Sequence, residues 1–176
     1  EKLAENHFLK AHVKPLFPGK LPTPSGKIEL YSEQMKQDGL FPLPVYAPLQ
    51  EDGNLPFHFI PAPNHNFLNS TFSNNEKHVS LEKEPKLHIN EQDAKELGIE
   101  DGDKVRVWNH RGECELKAAV GENVLPGVVV SQGIWADAPG TKQLVNALTP
   151  DRLSDMGGGA TFFSGKVGIE KLKMNA

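Results

Sequence analysis

An amide- and hydroxyl-rich run, PAPNHNFLNST from Pro61 to Thr71, follows directly on the apolar segment Leu55 to Ile60. It carries Asn64, His65, Asn66, Asn69, Ser70 and Thr71 in close succession. Amides and hydroxyls both donate and accept hydrogen bonds, which suits a ligand with phosphates, hydroxyls and heterocycle edges. The same composition equally describes an ordinary surface loop. Seven histidines invite a metal site, but His7 and His12 miss the i, i+4 spacing of one helix face and no H-E-x-x-H occurs. Hydrogen-bonded or solvated histidines are the expectation, with no metal ligand among them. Cys114 is the single cysteine, so this chain alone can build neither an internal disulfide nor a four-thiolate iron–sulfur cluster. It falls mid-strand on an apolar register, where a free cysteine behaves as a small hydrophobe. Gly157-Gly158-Gly159 offers consecutive backbone N–H groups that can cradle an anion, although a bare glycine triplet is more often a turn. Asp151, Asp155 and Glu170 show no acid/base pairing, and neither G-x-S-x-G nor a Walker loop is present. No catalytic residue is identified.

The elements that must position these groups fall into two regimes. Most of the 14 prolines lie before residue 64, and Pro15, Pro18, Pro22, Pro24, Pro42, Pro44 and Pro48 punctuate the first stretch. Proline fixes φ and removes a donor, so residues 1–54 are expected to form a proline-rich arm or linker. Within it Thr23 to Gly26 makes a turn, Lys27 to Tyr31 alternates as a strand would, and Ser32 to Gly39 fits a short capped helix. Residues 55–176 are expected to form the compact domain. Strands are expected at Leu55–Ile60, Leu87–Ile89, Lys104–Asn109, Glu113–Val120, Val128–Val130 and Lys166–Lys171. A polar loop is expected from Pro61 to Lys77, and one firm helix runs from the cap Asn90 to a stop at Gly98. Gly102-Asp103 and His110–Glu113 are turns, the latter with Gly112 supplying a permissive φ. Cys114, Leu116, Ala118 and Val120 share one face of their strand. Short strands with frequent turns indicate a mainly β fold, a small closed barrel with one or two short helices.

The net charge of −4 leaves no basic excess to neutralise phosphates, which argues against a nucleic-acid partner. No run approaches the roughly 20 apolar residues of a membrane span, so no direct membrane insertion is expected. The chain starts at Glu1 with neither a methionine nor a signal peptide, which is read as excision from a longer protein whose compartment information lies elsewhere.

The series LHINEQDAKELGIEDGDKVRVWN (Leu87 to Asn109), Arg111-Gly112, Val124-Leu125-Pro126-Gly127-Val128-Val129 and Val145-Asn146-Ala147-Leu148-Thr149 resembles a known pattern. It is similar to the molybdopterin-dinucleotide-binding domain of the dimethyl sulfoxide reductase family of molybdopterin oxidoreductases. That family includes formate dehydrogenases, nitrate reductases and thiosulfate or polysulfide reductases. Upstream, Thr23-Pro24-Ser25-Gly26-Lys27-Ile28-Glu29 resembles the segment that ends the preceding catalytic domain. The resemblance implies a six-stranded double-psi β-barrel, C-terminal in its parent, that closes over molybdopterin guanine dinucleotide. It implies cofactor contacts from Ala62, Pro63, Asn69, Ser70, Thr71, Asn146 and Lys166. Pro63 and Asn69 stand where many members have an arginine and a histidine, so ionic contacts are not implied there. The molybdenum or tungsten ligand and the iron–sulfur cluster would belong to domains absent here. Partners would be those domains and an iron–sulfur electron-transfer subunit. Two other barrels share the LGI-x-x-GD turn: a protein-binding module of ubiquitin-handling ATPases and a DNA-binding swapped-hairpin barrel. The first leaves N-A-L-T and the prolyl arm unexplained, and the acidic pI near 6.0 weighs against the second.

Overall fold

The computed structural model describes every residue except 1, 9, 12, 14, 16–18, 44, 50–53, 136–143 and 174–176. The chain divides into two compact units, Glu1–Ala47 and Pro48–Ala176. In the first, a short helix α1 (Lys2–Asn6) is followed by the Thr23–Gly26 turn, where Gly26 donates to the Thr23 carbonyl at a φ of 68°. Helix α2 (Glu33–Gln37) starts where expected: the Ser32 hydroxyl accepts from Met35 N–H at 3.2 Å. The expected strand at Lys27–Tyr31 does not form. The alternation is there, but a strand needs a neighbour's backbone, and the local bonds go elsewhere: Thr23 Oγ1 donates to the Lys27 carbonyl, and Ser25 N–H donates to the Glu29 carboxylate. That carboxyl is held below its usual pKa by Ser25.

The second unit is a closed barrel of six strands: β1 (Phe57–Ala62), β2 (Lys86–Asn90), β3 (Lys104–Trp108), β4 (Glu113–Gly121), β5 (Val128–Gln132) and β6 (Gly165–Lys171). Around the barrel the order is β1-β5-β2-β4-β3-β6. β1 pairs parallel with β5 and β2 parallel with β4, while the other neighbours are antiparallel. Period-2 alternation fills the inside: Phe57 and Phe59, Leu87 and Ile89, Val105 and Val107, and Val167 and Ile169 are all buried. On β4 the face Cys114, Leu116, Ala118 is buried and Val120 packs against the same core. Burial pushes the Cys114 thiol up to about 12, with the Glu113 charge adding to the effect. The thiolate needed for nucleophilic or metal chemistry is thus suppressed, and Cys114 serves as core.

Helix α4 (Glu91–Leu97) is capped by Asn90, whose Oδ1 accepts from Gln92 N–H, and it ends on Gly98 at a φ of 65°. Its polar residues also fasten the barrel. Asn90 Nδ2 donates to the Val124 carbonyl, and Asp93 accepts from Gly127 N–H at 2.8 Å, holding the Pro126-Gly127 turn ahead of β5. The Glu100–Asp103 turn is fixed similarly. Asp103 accepts from Glu100 N–H at 2.7 Å and pairs with Lys171, which together hold its carboxyl below the usual range, Lys171 contributing most. Gly102 sits at a φ of 86° and donates to the Ala118 carbonyl. A side chain there would meet only ordinary contacts, so the penalty of substitution is backbone strain. Gly102→Val is expected to cost about 1–3 kcal/mol, read as a lower midpoint in urea unfolding; an unchanged midpoint would remove the argument.

The turn after β3 departs from expectation in its cause. Gly112 is not among the positive-φ residues. Asn109 makes the turn instead: its Oδ1 accepts from the N–H groups of Arg111 (2.9 Å) and Gly112 (3.3 Å), and its own N–H donates to the Gly112 carbonyl. The Pro61–Lys77 loop also holds unexpected structure. Leu68 and Thr71 form an isolated antiparallel bridge, and helix α3 (Glu76–Glu82) starts at Asn75, whose side chain accepts from Lys77 and His78 N–H.

Candidate functional site

At one end of the barrel, four chain segments converge on a cleft of about 450 Å³. The first is the end of β1 and the loop beyond it, contributing Pro61, Ala62, Pro63 and Asn69. Gly133 and Ile134 follow β5; Val145, Asn146 and Thr149 come from the 3₁₀ turn η1 (Val145–Leu148); Phe162 and Phe163 come from a second such turn, η2 (Phe162–Ser164). Among the described lining residues none carries a formal charge.

Asn69 is presented by a two-residue reverse turn. Leu68 and Thr71 exchange both backbone hydrogen bonds at 3.0 Å, and Asn69 takes a φ of 57°, which asparagine tolerates better than other side-chain-bearing residues. Ser70 completes the turn, and its carbonyl accepts from the buried Ser73 hydroxyl at 2.7 Å. Helix α3 steadies this loop from outside. Glu82 accepts from both the backbone and side-chain N–H groups of Asn66, His78 Nδ1 lies 2.7 Å from the Asn66 carbonyl, and Phe72 stacks on the His78 ring. Phe67 and Trp135, both buried, meet edge-on at 4.9 Å and tie the loop to the segment after β5.

Asn146 stands on η1 because its neighbours are anchored. Val145 and Leu148 are buried in the core, which leaves Asn146 facing out. Thr149 closes the turn, donating from Oγ1 (2.8 Å) and N–H (3.2 Å) to the Asn146 carbonyl. Asn109 Nδ2 donates to the Leu148 carbonyl at 2.7 Å and to the Lys166 carbonyl at 3.3 Å, joining η1, β6 and the β3–β4 turn at one buried amide. The side-chain amides of Asn69 and Asn146 make no hydrogen bond among the described residues.

Four of the residues singled out in the sequence, Ala62, Pro63, Asn69 and Asn146, thus line one cleft. Ser70 and Thr71 belong to the turn that presents Asn69 but not to the lining, and Lys166 lies on β6 opposite His58, also outside it. Gly133, Ile134, Val145, Thr149, Phe162 and Phe163 were not singled out. The glycine triplet is no anion nest: Gly158 and Gly159 N–H groups are both spent on Ser154.

The family described as Molydopterin dinucleotide binding domain matches residues 57–165, from the first residue of β1 to the first of β6. The chain belongs to this family. As a molybdopterin-dinucleotide-binding domain it has relatives among oxidoreductases of the dimethyl sulfoxide reductase family. It is 72% identical to the probable oxidoreductase YoaE of Bacillus subtilis over 98% of this chain and 25% of that protein. It is 37% identical to the putative dimethyl sulfoxide reductase chain YnfE of Escherichia coli over 86% of this chain and 22% of the relative. The dimethyl sulfoxide reductase DmsA of the same organism is 32% identical over 86% of this chain and 21% of its own length. The chain therefore spans about a quarter of the curated relatives it matches. Among solved structures, acetylene hydratase from Pelobacter acetylenicus shares the fold at a TM-score of 0.56, with 21% identity over 64% of this chain and 17% of that one.

A molybdopterin offers a planar ring system with a donor- and acceptor-rich edge, and two amides without a hydrogen bond among the described residues, lining one cleft with an aromatic pair, fit such a group. The family motifs divide by role accordingly. Asn90, Asp93, Gly102, Asp103 and Asn109 build turns and caps, whereas the N-A-L-T segment delivers a side chain to the cleft.

Proposed function

We propose that this domain closes over the molybdopterin guanine dinucleotide of a molybdenum or tungsten oxidoreductase, as the C-terminal domain of that enzyme. The carrying observation is that Asn69 and Asn146, far apart in sequence, line one cleft with side-chain amides that make no hydrogen bond among the described residues. Asn69 and Asn146 would hydrogen-bond the cofactor, Ala62 and Pro63 would pack on it, and Ser70 and Thr71 would add hydroxyl contacts from the turn. Lys166, on β6 and outside the cleft lining, is the candidate for a late lysine contact to the pterin portion. When bound, the group supplies two-electron chemistry at its metal; the chain binds it, orients it and shields it from water. No residue here is assigned a reacting role. Residues 1–54 would be the arm leading out of the preceding catalytic domain, and 55–176 the cofactor barrel. The two parallel pairs, β1 with β5 and β2 with β4, support a double-psi arrangement. Partners would be the remaining domains and an iron–sulfur electron-transfer subunit.

The test uses the full-length protein that carries this domain. Since one neutral hydrogen bond is worth about 0.5–1.5 kcal/mol, Asn146→Ala is expected to lower bound cofactor roughly two- to tenfold. Molybdenum and acid-released guanosine monophosphate per polypeptide are the readouts, with the melting temperature of the cofactor-free protein unchanged because Asn146 is exposed. Full cofactor in Asn146→Ala removes that residue from the set; full cofactor in Asn69→Ala as well would end the reading.

A further inference from the structure

Phe162 and Phe163 are the bulkiest groups on the cleft, and no sequence motif drew attention to them. They are adjacent on η2, their ring centroids 4.3 Å apart at an interplanar angle of 55°, and they remain 38% and 51% exposed. Their position is fixed from behind. Ser164 N–H donates to the Thr161 carbonyl, and Gly165 begins β6 so tightly against Pro150 that an added Cβ would approach its ring carbon to 3.2 Å. The lining also includes Pro63, Ile134 and Val145, so among the described residues it is mostly apolar and its polar side chains are Asn69, Asn146 and Thr149. A phosphate entering this space would lose its hydration against hydrocarbon. A flat, uncharged heterocycle would instead gain ring-face contact while two amides satisfied its edge.

We propose that Phe162 and Phe163 form an aromatic wall on which a planar heterocycle of the dinucleotide stacks, with Asn69 and Asn146 bonding its edge. This rests on the functional reading above and adds to it the part of the cofactor that the cleft takes: a ring system, with the pyrophosphate left outside. Both the pterin and the purine of the dinucleotide have that chemistry.

The experiment compares full-length protein carrying Phe162→Leu/Phe163→Leu with Phe162→Tyr/Phe163→Tyr. Leucine keeps apolar bulk and removes the ring face; tyrosine keeps the ring. The leucine pair is expected to release cofactor about tenfold faster on dilution than wild type, with the tyrosine pair close to wild type. Cofactor-free full-length protein is then titrated with neopterin and with guanosine, and the ring whose binding weakens about tenfold in the leucine pair is the one stacked. Wild-type retention in the leucine pair, or equal loss in leucine and tyrosine pairs, overturns the aromatic wall. If Asn146→Ala still loses cofactor in that case, the binding function stands without the wall. If neither the asparagine nor the phenylalanine variants lose any, the functional reading falls with it.

Discussion

Replacing Gly133 with alanine is expected to destabilise this domain by about 2–4 kcal/mol, from two separable causes. Gly133 lies at a φ of 78°, where a side chain strains the backbone. An added Cβ would also overlap the side-chain amide of Asn64, which is itself buried. The Gly133 backbone is held by a hydrogen bond, while the Asn64 Nδ2 is buried without a hydrogen-bond partner among the described residues and is confined by packing alone. Gly133 N–H donates to the Ala62 carbonyl, and Asn64 lies between Pro63 and the loop that α3 and the Phe67–Trp135 contact hold in place. In an Asn64→Ala background the overlap shrinks to a 3.3 Å contact with the remaining Cβ, and Gly133→Ala should then cost little more than the backbone share, about 1–2 kcal/mol. Urea unfolding of the four proteins of this cycle measures the difference. Equal costs in both backgrounds would show that the Asn64 contact carries none of the penalty.

The second large effect is expected at Asn109. Its side chain bonds the backbones of Arg111, Gly112, Leu148 and Lys166, so truncation opens the β3–β4 turn and leaves the buried Leu148 carbonyl without its donor. Asn109→Ala is expected to cost on the order of 2–4 kcal/mol. Asn109→Asp keeps the acceptor that shapes the turn but sets a carboxylate against two carbonyl oxygens, so it should be at least as harmful, and less so at low pH when protonated. The measurement is the unfolding midpoint of each variant across pH. If Asn109→Asp matched wild type at neutral pH, the donor role toward Leu148 would be wrong.

These two residues also mark how far the sequence could be read. The strands β3 and β4 were legible because alternation of Val105, Val107, Cys114 and Leu116 is what a half-buried strand requires, and α4 because Asn90 and Gly98 bracket it. Lys27–Tyr31 alternates as well, but no pairing partner is encoded in its pattern. Helix α3 escaped notice because it buries no residue; capping by Asn75 and the Glu82 and His78 bonds hold it, and neither leaves a hydrophobic period. Within the cleft, Asn69 and Asn146 were reached through family-like motifs. Gly133 and the Phe162–Phe163 pair were not, since a lone glycine after a strand and two phenylalanines before another carry no spacing signal. Only the closing of the barrel brings them to the same place.

That closure has a temporal side. β1 is made first, yet its two neighbours in the barrel are β5 and β6, the last two strands in the chain. During synthesis Phe57–Ala62 must wait for Gln132 before its β5 edge is fully paired and for Val167 before its β6 edge is. Partners so distant in sequence make for slow closure, and an unpaired apolar strand is a site for misassociation while it waits. Phe162 and Phe163 stand directly before β6, so a chain that ends short of them lacks one wall of the cleft. On the proposed site, a nascent chain arrested before Phe162 is therefore expected to retain less cofactor than the completed protein.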